Sequence, residues 1–184
     1  LTVPDSPAET PLVEMAQRLN IAIARGPEED VLERFLIAAD QVRAQHIVRI
    51  CGDNPLIDRQ LMRLLIRAHL KENADYTITP DPIPLGTGTE VVKVKALKNI
   101  AGTTTESKYR EHVTTWFHDN PAVVVQSCVP APAYLKNKSH RLTVDTRSDL
   151  TLMEKIFAAF YTPKSPLPNL EKVIQFLDTR PDIA

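Results

Sequence analysis

Short apolar runs alternate along most of this chain with stretches whose apolar residues recur at helical spacing. Residues 47–51 form an apolar run, and residues 59–70 then place apolar side chains at the three- and four-residue intervals of a helix. Parallel strands need crossover connections, and the crossover helices cover both faces of the sheet. The alternation therefore predicts an α/β fold with a doubly wound, mostly parallel sheet.

The same patterns place individual elements along the chain. Strands are predicted at residues 1–3, 21–24, 47–51, 76–79, 89–95, 122–128 and 141–144, and helices at 8–19, from 27–30 onward, 59–70, 96–101, 106–117, 149–161 and 170–177. The proline-rich run at residues 80–84 is expected to be a stiff loop, because proline lacks the amide donor that a ladder or helix requires. Two of the later strands are expected to form an antiparallel edge or a small subsheet.

Composition limits the class of protein. A chain of 184 residues is long enough for one domain with a sizeable core, and no linker divides it. With 22 basic and 23 acidic residues, it offers no electrostatic footprint for nucleic acid or an anionic membrane. No stretch approaches the roughly 18 apolar residues of a membrane span. A soluble cytoplasmic protein is expected, with Cys51 and Cys128 as reduced core thiols.

Asp53 follows an apolar run and precedes a proline, in the segment Gly52-Asp53-Asn54-Pro55. Acidic residues at the carboxyl ends of strands are where open α/β sheets bind phosphates and their metal ions. Asp145 ends another predicted strand, so the two carboxylates are candidates for holding one hydrated Mg²⁺. The alternative is ordinary turn chemistry, in which each aspartate caps the following helix.

Glycine is scarce, with five residues in the chain, so the glycine positions are informative. Gly26, Gly52 and Gly86 fall at predicted loop edges. Because glycine has no side chain, the backbone at such positions can approach a ligand closely.

Five ordered blocks of the sequence carry a resemblance to a known family. They include Ile23-Ala24-Arg25-Gly26, Cys51-Gly52-Asp53-Asn54-Pro55, Pro84-Leu85-Gly86-Thr87-Gly88-Thr89-Glu90, Arg110-Glu111-His112-Val113-Thr114 and Leu142-Thr143-Val144-Asp145. The set resembles the cytidylyltransferases of the spore-coat polysaccharide type, relatives of the enzymes that make CMP-linked sialic, pseudaminic and Kdo sugars. The resemblance covers nearly the whole chain, and its specificity lies in the ordered set.

The resemblance implies an activity. In such enzymes an oxygen of a sugar or sugar acid attacks the α-phosphate of CTP in line, pyrophosphate leaves, and Mg²⁺ neutralises the developing charge. By position, Asp53 and Asp145 match the catalytic metal-binding aspartates. Chemistry of this kind depends on positioning and charge stabilisation rather than on a covalent nucleophile.

Other residues receive roles in the same way. Gly26 and Asp30 match a loop that lies against the nucleotide, and Gly52 adjoins Asp53 beside the same ligand. For Asp30 the alternative is an acidic residue in the first turn of a helix. The residues matching a loop that faces the acceptor sugar are Pro84, Gly86 and Glu90, with a turn entering a strand as the alternative.

The block at residues 110–114 contributes three further candidates. Arg110, Glu111 and His112 are candidate substrate-binding residues, and His112 beside a carboxylate could orient the substrate or assist proton removal. The alternative is that His112 is a structural residue. The other four histidines have no proposed role.

The chain departs from the family pattern at its start. Relatives open with a strand, a triphosphate-binding loop and a helix that this sequence does not show, so the domain spanning residues 1–184 is expected to be N-terminally incomplete and inactive by itself. The alternatives are a non-catalytic fragment or scaffold with the same fold, or a transferase using another nucleotide. A homodimer through exposed apolar residues such as Trp116, Phe117 and Tyr134 is a further expectation.

Overall fold

A computed structural model describes residues 1–180. Its helices and strands are β1 (Thr2–Pro4), α1 (Thr10–Arg18), β2 (Ala24–Gly26), α2 (Val31–Gln41), β3 (His46–Arg49), α3 (Arg59–Glu72), β4 (Tyr76–Ile78), β5 (Glu90–Lys93), α4 (Val94–Thr103), α5 (Ser107–Glu111), α6 (Thr115–Asp119), β6 (Gln126–Cys128), α7 (Arg147–Phe160) and α8 (Leu170–Asp178). Helices α3, α7 and α8 lie close to their predicted bounds, and β2 begins about three residues later than predicted.

The strands form two sheets. β1 and β2 pair in parallel, with Thr2 opposite Ala24. The other four strands are arranged in the order β3-β5-β4-β6. The amide of Val129 donates to the carbonyl of Ile78 at the ends of β6 and β4, as expected for strands that run in the same direction.

Strand β5 is antiparallel to both of its neighbours, β3 and β4. The amide of Val94, just after β5, donates to the carbonyl of Gln45, just before β3, so the end of one strand meets the start of the other. The predicted mostly parallel α/β fold is confirmed. The antiparallel strand, however, lies inside the sheet, between β3 and β4, and not at the predicted edge.

The chain divides into two compact units. The first contains Leu1–Ile47, Asn73–Tyr76 and Val92–Gln126, and the second contains Val48–Glu72, Thr77–Val91 and the chain from Ser127 onward. Each of the four strands of the larger sheet has residues in both units.

In the first unit, α2 packs directly on β2. Leu32, Leu36 and Ala39 form its buried face at helical spacing. A Cβ atom on Gly26 would lie 2.9 Å from the end of the Ile37 side chain, so a larger residue would require that side chain to shift. Elsewhere in this unit the Phe117 ring stacks on Tyr76, with 4.7 Å between ring centroids.

The core of the second unit is an apolar cluster shared by three helices, strand β5 and irregular segments. Its buried members are Leu56, Leu61, Leu65, Val91, Leu135, Leu142, Met153, Ile156, Leu170, Val173, Ile174 and Leu177. Leu135 and Leu142 come from segments without regular structure, so the cluster fixes the loops that follow β6 as well as the helices.

The predicted strand at residues 141–144 is absent. This segment makes one isolated parallel bridge, between Arg141 and Leu85. The amide of Leu142 donates to the carbonyl of Leu85, whereas the amide of Val144 donates to the carbonyl of Asp53. The segment therefore divides its hydrogen bonds between two loops and does not add to the sheet.

The predicted helix at residues 106–117 was also wrong in part. His112 has φ −98° and ψ 77°, outside the helical region, and it separates α5 from α6. The predicted strand at residues 122–128 shrinks to β6, because residues Pro121–Val123 form a short 3₁₀ turn instead.

Three expectations about burial change. Cys128 is exposed and Cys51 is half-buried, so the prediction that Cys128 is a core thiol was wrong. Phe117 is fully buried and is not an exposed interface residue, while Trp116 and Tyr134 are half-buried. Among residues 1–180, no helix is long and apolar enough to span a membrane.

Candidate functional site

A cavity of about 310 Å³ lies in the second unit where β3 and β4 end and β5 begins. Its lining includes Pro84, Gly86 and Glu90, three of the residues predicted to bind the acceptor. Because β5 is antiparallel, its amino end meets the carboxyl ends of β3 and β4. This is the edge at which open α/β sheets bind their ligands.

The loop that forms one wall of this cavity is held tightly. The Thr87 hydroxyl donates to the carbonyl of Pro84 at 2.7 Å, which closes a turn. Gly86 has φ +91°, and a Cβ atom there would lie 2.5 Å from the carbonyl oxygen of Leu142. Gly86 is therefore required for packing of the loop against residues 142–143.

Asp53 lies on an exposed turn in the loop that follows β3. The turn is closed by the amide of Asn54, which donates to the carbonyl of Cys51 at 3.2 Å. The Thr143 hydroxyl donates to Asp53 Oδ2 at 3.2 Å and so orients the carboxylate. Gly52 has open space where a side chain would stand, so a ligand can approach the backbone beside Asp53.

The structure brings the segment containing Asp145 next to Asp53 through the backbone. The amide of Val144, the residue before Asp145, donates to the Asp53 carbonyl at 2.9 Å. The Asp145 carboxylate is exposed and accepts a hydrogen bond from the Arg141 guanidinium.

Charged side chains at the cavity are paired. Arg49 Nη1 lies 2.7 Å from Glu90 Oε2, and both side chains are mostly buried. Asp81 accepts from Lys136 at 2.9 Å and from the amide of Ala131 at 2.9 Å. The hydrogen bond from Lys136 is the main reason that the pKa of Asp81 is below its ordinary value.

The predicted residues of the first unit form a separate cluster. Arg110 Nε donates to Asp30 Oδ2 at 2.7 Å, and Arg110 also contacts the carbonyl of Ala101 at 3.3 Å. Asp30 is the N-cap of α2, since its Oδ1 accepts from the amide of Glu33 at 2.9 Å. Asp30 therefore lies at a helix start, as the alternative interpretation expected, but as the N-cap. The Asp30 carboxylate also binds Arg110.

The remaining candidates of that block lie at a helix end. Glu111 is the last residue of α5, and His112 follows it. Both side chains are exposed. The geometry shows no contact of either with the Asp30 carboxylate among the described residues.

Two buried aspartates, Asp149 and Asp58, received no functional role from the sequence. Asp149 accepts from Arg141 Nε at 3.0 Å and from the amides of Asp145 and Thr146. Asp58 accepts from the Tyr134 hydroxyl at 2.6 Å and from the amide of Leu61. A threonine three residues before an acid is a known capping pattern, and it was a readable signal for Asp149.

These contacts change how the groups titrate. The Arg141 guanidinium, followed by the amide of Asp145, holds the pKa of Asp149 well below its usual range. Burial, followed by the hydrogen bond to Asp58, raises the pKa of Tyr134 above its ordinary value. Both groups keep one charge state at neutral pH and act as fixed anchors of the loops around the cavity.

Within the described part of the chain, no cluster of three or more His, Cys, Asp or Glu side chains could hold a metal ion by itself. Asp53 and Asp145 provide carboxylate oxygens, the donors that Mg²⁺ prefers. Magnesium is usually bound by one or two carboxylates together with substrate phosphates and water. The donor set fits that kind of site, which phosphates would complete.

Comparison with known proteins gives consistent results. The chain is 36% identical over 174 residues to an uncharacterized protein of Methanocaldococcus jannaschii, covering 94% of this chain and 69% of that protein. It is 32% identical over 163 residues to the spore coat polysaccharide biosynthesis protein SpsF of Bacillus subtilis, covering 88% of this chain and 67% of that protein.

Solved structures share the fold. A cytidylyltransferase from Leptospira borgpetersenii superposes with a TM-score of 0.88 at 21% identity, covering 99% of this chain and 77% of that one. A CMP:2-keto-3-deoxy-manno-octonic acid synthetase complexed with CTP gives a TM-score of 0.59 at 13% identity, covering 86% and 80%.

A family model described as cytidylyltransferase matches residues 5–174, which is most of the chain. This protein therefore belongs to the cytidylyltransferase family.

Proposed function

We propose that this protein transfers CMP from CTP to an oxygen of a sugar or sugar acid, for the synthesis of a surface polysaccharide. The acceptor oxygen forms a bond to the α-phosphorus, the bond from that phosphorus to the bridging oxygen of the β-phosphate breaks, and pyrophosphate leaves with the electron pair. The acceptor hydroxyl loses its proton to solvent or to a base. Membership of the family supports this proposal, as does the similarity to a spore coat polysaccharide biosynthesis protein of Bacillus subtilis.

The observation that carries the proposal is the exposed carboxylate of Asp53 on the turn after β3. Thr143 orients this carboxylate, and the open space at Gly52 leaves room for a phosphate beside it. Phosphoryl transfer depends mainly on positioning and charge stabilisation, so an oriented acid at this edge suits the reaction.

We further propose that Asp53 and Asp145 hold Mg²⁺ together with the phosphates of CTP. When bound there, the ion would offset the negative charge of the phosphates. Asp145 is paired with Arg141, so it would give up that hydrogen bond to bind the ion. Arg141 keeps its bond to Asp149, which holds the guanidinium close by in either state.

The other predicted residues retain their proposed roles. Pro84, Gly86 and Glu90 would shape the acceptor site, while Gly26, Gly52 and Asp30 would contact the nucleotide. Arg110, Glu111 and His112 stay candidate substrate contacts. The expectation that the chain by itself is inactive has no support in the comparisons.

The test is release of pyrophosphate from CTP with Mg²⁺ and a panel of sugars and sugar acids. Asp53→Asn is expected to lower the rate roughly a hundredfold or more, because it removes a charge placed for the reacting phosphates. Asp40→Asn is the matched control, since Asp40 is an exposed acid that pairs with Lys98 and does not line the cavity.

Two outcomes contradict the proposal. One is an Asp53→Asn variant as active as the Asp40→Asn variant. The other is the absence of pyrophosphate release with every acceptor. Release of pyrophosphate from UTP or GTP at the rate found with CTP would overturn the proposed base preference. It would leave the proposal of nucleotidyl transfer intact.

A further inference from the structure

Two threonine hydroxyls at the cavity form no hydrogen bond with any residue that the structure describes. The oxygen atoms Thr79 Oγ1 and Thr89 Oγ1 are both buried, and neither forms a hydrogen bond with another described residue. Thr89 is 5% exposed, and both residues line the cavity at the ends of β4 and β5. A buried hydroxyl without a partner is unfavourable, so two of them at one cavity point to a ligand that completes them.

The strand register places the two hydroxyls together. The amide of Lys93 donates to the carbonyl of Asp75, so these positions face each other in the antiparallel pair of β5 and β4. Moving along both strands in that register places position 89 opposite position 79, on the same face of the sheet. Facing threonines often form a hydrogen bond with each other, but here neither hydroxyl has a partner in the described part of the chain.

The charges at this cavity argue against an anionic ligand group beside the threonines. Among the described lining residues Arg49 is the one basic side chain, and it is paired with Glu90 at 2.7 Å. The third charged group, Asp81, is negative and is compensated by Lys136. A carboxylate entering the cavity would lose water without gaining a free cation, whereas a neutral hydroxyl carries a much smaller cost.

We propose that Thr79 and Thr89 hydrogen-bond hydroxyl groups of a neutral sugar, and that they select the acceptor by its hydroxyls rather than by a carboxylate. Rotation about χ1 exchanges the hydroxyl and methyl of a threonine, so each hydroxyl can turn toward a ligand in the cavity. The role of that sugar as the acceptor rests on the proposed function, but its binding does not.

A binding experiment with D-glucose and D-glucuronate tests this inference, because the two probes differ only at C6. Binding is followed by backbone amide chemical shifts of the full chain, without CTP. Glucose is expected to shift the signals of Thr79 and Thr89 and to bind more tightly than glucuronate. Thr79→Val and Thr89→Val are each expected to weaken glucose binding by roughly threefold to tenfold, since each removes one hydrogen bond.

Ser127→Ala is the matched control variant. Ser127 Oγ is likewise buried without a partner among the described residues, but Ser127 does not line the cavity. All three variants are expected to keep or raise the melting temperature of the free protein, because each removes an unpartnered polar group. Glucose binding should fall in the two threonine variants alone, which separates ligand recognition from a folding defect.

Three outcomes overturn the inference: no shift at Thr79 or Thr89 up to the solubility limit of glucose, equal glucose binding by the valine variants and wild type, or tighter binding of glucuronate. Glucose binding without pyrophosphate release from CTP would sink the proposed function and leave this inference standing. If pyrophosphate is released but the two valine variants bind sugar as wild type does, the proposed function stands and this inference fails.

Discussion

At the scale of single residues, the glycines of the predicted site differ in what surrounds them. Gly52 has open space beside it, which suits close approach of a ligand. At Gly86 the space is filled by the backbone of Leu142 and Thr143, and φ is +91°. Both glycines stand out in the sequence, but only the packed structure shows that Gly52 faces open space and that Gly86 faces backbone.

Replacement of these glycines by alanine is expected to give opposite results. Gly86→Ala should lower the free energy of unfolding by about 2 kcal/mol or more, because the conformation is unfavourable for alanine and the new Cβ meets the backbone. Gly52→Ala should be neutral or stabilising by up to about 1 kcal/mol. Urea unfolding of both variants measures the difference, and an equal effect of the two substitutions would contradict the geometry.

At the scale of elements, the start of α7 illustrates how one acid fixes a loop. Thr146 and Asp149 form a capping box, and the Asp149 carboxylate also accepts the amide of Asp145. Arg141 bonds the same carboxylate, which ties the segment before the helix to its first turn. The backbone of Asp145, a proposed metal ligand, is thus held by the Asp149 carboxylate, which is itself held by Arg141.

The low pKa of Asp149 makes this anchor pH-dependent. Folding favours the ionised carboxylate, so its stabilising contribution is complete above the ordinary aspartate pKa of about 3.9 and is lost as pH falls toward the folded-state value. Asp149→Asn should lower the melting temperature at pH 7, and the gap from wild type should shrink below about pH 4.

The matched control for that experiment is Asp40→Asn. Asp40 makes one exposed ion pair with Lys98, so the substitution should change the melting temperature little at any pH. Thermal unfolding monitored by circular dichroism between acid and neutral pH provides the comparison. A gap for Asp149→Asn that stays the same from neutral pH to strong acid would be inconsistent with the anchor.

At the scale of the whole molecule, the predicted site residues are distributed over both compact units. Asp53, Asp145 and the loop from Pro84 to Glu90 belong to the second unit, whereas Asp30 and Arg110 belong to the first. In each unit, a predicted site residue forms an ion pair with a residue that is distant in sequence. Arg49 and Glu90 are 41 residues apart in sequence, and Asp30 and Arg110 are 80 apart.

A ligand that binds the folded protein should raise its unfolding temperature. At a CTP concentration one hundred times its dissociation constant, the expected stabilisation is about 2.7 kcal/mol. Removal of Mg²⁺ with a chelator should reduce the effect, because the triphosphate charge would then face Asp53 and Asp145 without compensation. Differential scanning fluorimetry measures both shifts, with Asp53→Asn expected to lose the dependence on Mg²⁺.

An equal shift with and without the chelator would argue against the proposed metal ligands. A shift with GTP or UTP as large as that with CTP would argue against the base preference. The Asp40→Asn variant should behave as wild type in every arm, since Asp40 pairs with Lys98 and does not line the cavity.

Elements with long and regular patterns were predicted well. Helices α3 and α8 have apolar faces that recur over two or more turns, and their bounds fall close to the predicted ones. The short apolar segment at residues 141–144 is predicted to be a strand, but it forms one isolated bridge and otherwise lies in a loop. A brief apolar run has the same pattern in a strand and in a buried loop, so only its neighbours distinguish the two.

The sequence by itself determined the α/β class, the main helices, and the ordered blocks that mark the family, because each of these is encoded by residues close together in the chain. The tertiary structure alone decided that β5 is antiparallel inside the sheet and that Arg49 pairs with Glu90. It also decided that the hydroxyls of Thr79 and Thr89 have no hydrogen-bond partner within residues 1–180. The physical reason is that a hydrogen bond or an ion pair depends on which distant segment lies alongside, and local patterns do not specify that partner.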